Sequence, residues 1–337
     1  MTTTPTPHPI RLGTRRSLLA RTQSGHVADL VRALGREVEL VEITSDGDRS
    51  QAAGTPLAGT PSTGVFVSAL RDALLAGEID VAVHSLKDLP TYPQEGITLV
   101  AVPPREDPRD VVVARDGLTL GELPQGAKVG TGSPRRAAQI QALGLGLDLV
   151  GVRGNVDSRI GKVRSGEYDA VVLARAGLAR IDRLDEVSEV LDPLQVLPAP
   201  GQGALAVECR TDDAEMVALL SGLDDPFTRA AVEAERAVLA TLEGGCAAPI
   251  GTLAEVVEGE EGVELWVRAV VLSPDGSRAI RLSATGLVDD AAGVGTRLAE
   301  EMLAEGAADL NAELNAELNK GDGSDSAAPE LDKVHNA

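Results

Sequence analysis

Two stretches in which proline and glycine crowd together divide this chain: Pro103-Pro104-Arg105-Glu106-Asp107-Pro108-Arg109 and Leu197-Pro198-Ala199-Pro200-Gly201-Gln202-Gly203-Ala204. Neither a helix interior nor a central strand accommodates such runs, because proline lacks a backbone donor and fixes φ. Each reads as a crossover between bodies, and together they predict a domain inserted between them. The expected units are residues 10–103 with 200–222 as domain 1, 104–199 as domain 2, and 223–312 as domain 3. Residues 1–9 and the acidic stretch 313–337 read as disordered, being polar and poor in apolar groups.

Inside the insertion one pattern occurs three times. Lys128-Val129-Gly130 leads through Thr131-Gly132-Ser133 into Pro134-Arg135-Arg136 and a helix. Residues 147–152 form a strand that runs into Arg153-Gly154-Asn155-Val156-Asp157-Ser158-Arg159 and a second helix. Residues 168–174 form a third, closing into Arg175-Ala176-Gly177-Leu178-Ala179-Arg180. Successive βα units of this kind place their loops at one end of a parallel sheet. Arginines on each loop, beside the free N–H groups of helix starts, predict a cleft that holds several carboxylates.

The charge distribution agrees. The formal net charge is −21, yet residues 101–183 carry 13 basic and 10 acidic side chains, against 9 and 31 in 184–337. An acidic total argues against a nucleic-acid partner, and aromatic residues at 1% leave no stacking platform for bases. No run approaches the roughly 20 apolar residues of a membrane helix. Two cysteines, Cys209 and Cys246, suit a reducing compartment, so a cytoplasmic protein is expected. Four scattered histidines give no metal-ligand cluster.

In domain 1, Arg11-Leu12-Gly13-Thr14-Arg15-Arg16-Ser17 reads as a strand end turning into a helix, with Ser17 as N-cap. Val27, Leu30, Val31 and Leu34 have the spacing of its buried face. Arg15 lies at that turn, either as an anion contact or as a solvated side chain. Residues 44–64, rich in Gly, Pro, Ser and Thr, are either disordered or a mobile lid, before a helix through Val65, Phe66, Leu70 and Leu74. Asp80-Val81-Ala82-Val83-His84-Ser85-Leu86-Lys87-Asp88 runs from a buried strand into a polar turn, the edge where α/β proteins place ligand chemistry. In domain 3 a helix over 228–242 ends in Glu243-Gly244-Gly245-Cys246, which displays a nucleophilic sulfur or tucks a small apolar residue under a turn. A three-stranded meander over 251–257, 264–272 and 278–284 and a helix over 294–310 follow. Cys209, in a strand over 205–209, reads as packing.

Taken together, Val83-His84-Ser85-Leu86-Lys87-Asp88-Leu89-Pro90, Arg105-Glu106-Asp107-Pro108-Arg109-Asp110, Gly130-Thr131-Gly132-Ser133-Pro134-Arg135-Arg136, Val152-Arg153-Gly154-Asn155-Val156, Pro200-Gly201-Gln202-Gly203-Ala204 and Glu243-Gly244-Gly245-Cys246 resemble the porphobilinogen deaminase (hydroxymethylbilane synthase) family. Order and spacing agree from about Ile10 to Leu310. The resemblance implies an α/β fold of two periplasmic-binding-protein-like domains with a cleft between them. A small C-terminal α/β domain with a three-stranded sheet completes it. It implies a monomeric enzyme that condenses four porphobilinogen molecules head to tail, releasing ammonia and giving hydroxymethylbilane. The primer would be a dipyrromethane cofactor held by a thioether to Cys246. By motif, Asp88 matches the catalytic aspartate. Lys87, Asp88, Ser17, Thr131, Ser133, Arg135, Arg136, Arg153 and Arg159 match cofactor-binding positions. Arg15, Arg153, Arg159, Arg180, Phe66 and Gln23 match positions that contact substrate or growing chain. The chain departs from the family at the lid, where Pro61-Ser62-Thr63-Gly64-Val65-Phe66 lacks the Gly-Gly-Lys-Gly type run and its lysine. The competing reading is a non-catalytic two-lobed binding protein for a polycarboxylate. A thiol hydrolase would need a histidine partner for its cysteine, and only His84 lies in a suitable motif.

Overall fold

The computed structural model describes residues 8–44, 62–242, 249–259 and 262–310, the side chains of 62–66 excepted. The lid stretch 45–61, Cys246 and its flanking glycines, and the tail from 311 lie outside the described residues. In the first lobe the chain builds β1 (Ile10–Thr14), α1 (Leu18–Ala33), β2 (Val38–Glu42), α2 (Ser62–Leu75), β3 (Val81–Ser85) and β4 (Ile97–Ala101). The first crossover leads to β5 (Asp110–Ala114), β6 (Lys128–Gly130), α3 (Pro134–Ala142), β7 (Asp148–Val150), α4 (Val156–Arg164), β8 (Ala170–Ala174), α5 (Arg175–Arg180) and β9 (Glu189–Val190). After the second come β10 (Leu205–Arg210), α6 (Ala214–Leu220), α7 (Pro226–Thr241), β11 (Ile250–Gly259), β12 (Gly262–Leu272), β13 (Ala279–Leu287) and α8 (Ala291–Ala304).

The two lobes share one topology. Their five-stranded sheets run β2-β1-β3-β10-β4 and β7-β6-β8-β5-β9. In each, four strands run parallel and only the strand in the fourth position is antiparallel to its neighbours. That antiparallel strand is the one arriving from a crossover, β10 in the first lobe and β5 in the second. The second sheet is therefore mixed rather than wholly parallel, because β5 enters against the direction of its neighbours. The three βα loops that carry the arginines do follow parallel strands and share one end of the sheet.

Strand alternation supplies two apolar layers per sheet. Val112, Val129, Ile140 and Val172 fill one side of the second sheet, while Val111, Val171, Ile160 and Leu178 fill the other. The first sheet buries Leu12, Val27, Val31 and Val207 on one face and Leu70, Leu74 and Ile79 against α2 on the other. In α1 the buried stripe is Gln23, Ser24, Val27, Ala28 and Val31. Leu30 and Leu34, expected inside, are 40% and 44% exposed. The helix is rotated by one position so that two polar side chains face inward, towards the site described below.

The third unit is an antiparallel meander, β11-β12-β13, with α7 and α8 packed through Ala234, Val238, Leu265, Val267, Val294 and Leu298. Its last strand is longer than the spacing predicts. The helix expected over 294–310 is interrupted: α8 ends at Ala304, the chain turns at Gly306 (φ +97°), and residues 307–310 are helical again. The unit touches both lobes. Val232 joins Leu86, Leu89 and Val102 of the first, and Leu253, Val270 and Leu272 join Ala138 and Leu197 at the second.

Buried charge holds these bodies together. Glu235 of α7 is fully buried, and its carboxylate accepts from Arg105 Nη1 and Nη2 at 2.7 and 3.0 Å. It also accepts from the backbone N–H of Gly201 at 2.6 Å and of Ala254 at 2.9 Å. One side chain thus ties both crossovers to β11. Glu208 of β10 receives Arg71 of α2 at 3.0 and 2.6 Å, with His84 Nε2 3.2 Å away.

Removing Arg105 leaves a buried carboxylate with backbone donors alone, and breaking such a pair costs about 3–5 kcal/mol. Arg105→Met should lose that much unfolding free energy in urea, and a loss below about 1 kcal/mol would show the pair to be dispensable. For Glu208, burial opposes ionisation, but His84 and Arg71 hold its carboxyl down from 4.5 to about 2. A depressed carboxyl stabilises the fold above its ordinary pKa, and the gain disappears as pH falls through the folded value. The stability advantage of the wild type over Glu208→Gln should therefore shrink between about pH 4.5 and 2. A difference independent of pH in urea titrations would refute this.

Candidate functional site

The site gathers where strand ends of both lobes meet the crossovers. In the first lobe β3 ends at Ser85 and the chain tightens into a 3₁₀ turn over Leu86–Asp88. Leu86 is buried there, and its N–H donates to Ala204 O at 3.0 Å, pinning the turn to the second crossover. Ser17 caps α1 by accepting from Ala20 N at 3.3 Å, which leaves Arg15 on the turn before the helix. Gln23, one of the inward polar residues of α1, donates to Ser85 Oγ at 2.8 Å. A pocket of about 100 Å³ opens between these parts, lined by Arg15, Ser17, Gln23, Val67, His84, Ser85 and Asp88 among others. Burial pushes the Asp88 carboxyl up, against the opposing pull of Lys87, Arg15 and His84. Burial likewise brings the Lys87 ammonium down to about 8, helped by the positive charge of Arg136 and opposed by Asp88 and Asp110.

In the second lobe the loop after β6 starts α3 with Ser133 as N-cap, its Oγ accepting from Arg136 N at 3.4 Å. Thr131 Oγ1 accepts from Ser133 N at 3.2 Å and shapes the same loop. Arg135 and Arg136 are almost wholly buried and share the carboxylate of Asp110, each through Nη2 at 2.8 Å. Arg135 spends its other end on Leu197 O, whereas Arg136 donates to Val172 O at 3.0 Å. Asp110 is held far below the usual carboxylate range by these two guanidiniums and Gln202, in spite of its burial.

Arg159 of α4 reaches back over Gly132 and donates from Nε to Gly154 O at 2.8 Å. It makes no ion pair among the described residues, and burial, with Arg136 nearby, lowers its guanidinium pKa. Arg180 donates to Gly203 O at 2.6 Å and is likewise lowered by burial. Arg153 stands exposed on the loop before α4. The structure therefore brings Arg15, Ser17, Gln23 and Asp88 to one pocket, and sets Arg136 within electrostatic range of both Lys87 and Arg159. Arg135 is turned to the crossover, and Phe66 lies on α2 with its side chain outside the described residues.

Sequence reasoning passed over Gln202, Glu208 and Arg71. Gln202 lies within Pro200-Gly201-Gln202-Gly203-Ala204, and its signal is an amide flanked by two glycines in a crossover. Gly201 and Gly203 both have left-handed backbones, φ +73° and +90°, and a Cβ on Gly203 would collide with Glu106 O. They bend the chain so that Gln202, 1% exposed, points inward.

A dipyrromethane carries several carboxylates, and the residues present fit such a group. Arg159 and Arg180 are half-buried cations without a carboxylate ion pair among the described residues, and Nε of Arg136 is buried without an acceptor there. Buried positive charge in excess of its counter-ions is what a polyanionic ligand completes.

Comparison with known proteins agrees with this chemistry. The family model described as porphobilinogen deaminase, dipyromethane cofactor binding domain, matches residues 10–218, and the model of the C-terminal domain matches 229–304. Porphobilinogen deaminase 1 of Streptomyces coelicolor is 59% identical over 311 residues, covering 89% of this chain and 97% of the relative. Porphobilinogen deaminase of Mycobacterium tuberculosis is 57% identical over 306 residues, covering 89% and 98%. Among solved structures, a nutrient binding protein of Burkholderia cenocepacia bound to methionine is 13% identical, covering 64% of this chain and 92% of its own, with a TM-score of 0.39. That likeness is too loose to carry weight. The two family models together span the lobes and the third unit, and on that ground the chain belongs to the porphobilinogen deaminase family.

Proposed function

We propose that the protein is a hydroxymethylbilane synthase that joins four porphobilinogen molecules head to tail, with loss of ammonia at each addition. The observation that carries the reading is the half-buried Asp88 set beside Lys87 and Arg15, together with Arg159 and Arg180, which make no carboxylate ion pair among the described residues. In this reading domain 1 is 10–103 with 200–222, domain 2 is 104–199 and domain 3 is 223–312. The enzyme is taken to be cytoplasmic and monomeric, with no nucleic-acid partner.

Deamination of porphobilinogen leaves an electrophilic methylene-pyrrole with positive charge spread onto the ring nitrogen. Asp88 faces that charge as a carboxylate, stabilises it, and accepts the proton lost when the ring regains aromaticity. Its surroundings suit both tasks, since burial favours the protonated form while Lys87, Arg15 and His84 favour the ionised one. The substrate's acetate and propionate groups pair with Arg15 and Arg180, and Gln23 and Phe66 complete the contacts. Lys87, Ser17, Thr131, Ser133, Arg136, Arg153 and Arg159 hold the carboxylates of the dipyrromethane, with Cys246 as its point of attachment. Arg135, committed to Asp110 and Leu197, acts by keeping Arg136 in place. When bound, the dipyrromethane supplies the primer on which the chain is extended. Guanidiniums fit this task because they pair with carboxylates in bidentate fashion and keep their charge.

Intact mass spectrometry of the purified enzyme should show the polypeptide plus two pyrrole units, and Cys246→Ser should lack the addition. A bare mass for matured wild-type protein would remove the covalent primer from the mechanism. Asp88→Ala should retain fold and adduct but lose turnover by about 10²–10⁴-fold, the range for a displaced acid–base group. Because Asp88 is raised and acts ionised, the acid limb of wild-type kcat should lie above the ordinary carboxylate range. An acid limb at or below that range would separate Asp88 from the rate.

A further inference from the structure

The side chain of Gln202 uses all of its hydrogen-bonding capacity at the junction of the two lobes. Its Oε1 accepts from Lys87 Nζ of the first lobe at 3.2 Å and lies 3.5 Å from Arg136 Nη2 of the second. Its Nε2 donates to Pro108 O at 2.6 Å and Asp110 Oδ1 at 2.7 Å, so the amide cannot rotate without losing both faces. Its backbone O accepts from Arg105 Nε at 2.7 Å. An amide is the group that this position requires. It offers an oxygen to two cations and an NH₂ to a carboxylate and a carbonyl, which neither a carboxylate nor an ammonium can do.

We propose that Gln202 is a positioning residue that yokes Lys87 of the first lobe to Arg136 of the second, keeping both cations charged and at fixed spacing for the carboxylates of the pyrrole chain. This rests on the functional reading above. The groups facing Lys87 are Asp88 on its own turn, Asp110 of β5, Arg135 and Arg136 of α3, and Gln202. Gln202 alone among them is neutral, so its oxygen can be removed without changing the net charge around Lys87. Loss of that acceptor destabilises the ammonium, and a carboxylate in its place stabilises it.

The chain contains five lysines. Lysine-selective ¹³C labelling of the holoenzyme therefore allows the Lys87 signal to be assigned by its loss in Lys87→Arg and titrated without substrate. Gln202→Met should lower the Lys87 midpoint by about half a unit or more, and Gln202→Glu should raise it. The alkaline limb of kcat/KM for porphobilinogen should move in the same two directions. Unmoved midpoints, or shifts of one sign in both variants, would overturn the proposal. Should Gln202→Met not accumulate as folded protein, Gln202→Glu alone decides, by an upward shift or its absence. The opposed shifts in an enzyme that makes no hydroxymethylbilane would instead refute the functional reading and leave the role of Gln202 standing.

Discussion

Asp110 is wholly buried at the first residue of β5, and both crossovers are built around its carboxylate. Taking a carboxylate out of water costs several kcal/mol unless donors replace the lost hydration. Here Arg135, Arg136 and Gln202 supply three charged or polar donors at 2.7–2.8 Å. The reason for so much side-chain chemistry lies in the crossovers themselves. Their backbone belongs to no sheet ladder, yet it passes through the interior, so each carbonyl and N–H must find another partner. Arg135 and Gln139 serve Leu197 O, Gln202 serves Pro108 O, Arg105 serves Gln202 O, and Arg180 serves Gly203 O. Glu235 serves the N–H of Gly201. Arginine is suited to this work because one side chain satisfies a carbonyl and a carboxylate at once.

That accounting divides the arginines into two groups. Arg105 and Arg135 are consumed by carboxylates and crossover carbonyls, and their charge is cancelled within the protein. Arg136 shares one carboxylate with its neighbour, while Arg159 and Arg180 have backbone carbonyls for partners and no carboxylate ion pair among the described residues. A fold stabilised by salt bridges alone would not leave the second group near its interior. That surplus, among the described residues, supports the proposed binding of carboxylates without drawing on any resemblance.

Much of this plan was legible from the residue pattern, for physical reasons. Proline and glycine announce crossovers whatever surrounds them, and the β-to-α turns at Gly130–Pro134 and Val152–Val156 carry their own caps, Ser133 and Asn155. What escaped depended on tertiary contact. The rotation of α1 that exposes Leu30 and Leu34 follows from Gln23 and Ser24 finding partners inside, Ser85 Oγ and Gly13 O, and no helical periodicity contains that information. Arg135 and Arg136 are adjacent and chemically identical, so sequence assigned them one role. A helix turns about 100° per residue, and that rotation sends one to the crossover and the other towards the lobe junction. Gln202 and Glu208 looked like ordinary polar residues because their partners lie 66–137 positions away.

Helix α7 carries the remaining constraint. Glu235 fixes it to both crossovers, and the next residue, Arg236, donates to the carbonyls of Leu89 and Pro90, directly after Asp88. The helix then runs to Thr241, five positions before Cys246 in the sequence. From Arg236, which holds the turn bearing the proposed acid–base group, about one and a half turns of this helix remain before its end at Thr241. A primer tethered by its sulfur has a limited reach. If chemistry is to stay at one carboxylate through four additions, the tether's origin must be fixed relative to that carboxylate. Two charged side chains on consecutive residues fix the helix that precedes the proposed anchor in the sequence: Glu235 sets α7 against the lobes, and Arg236 sets it against the turn.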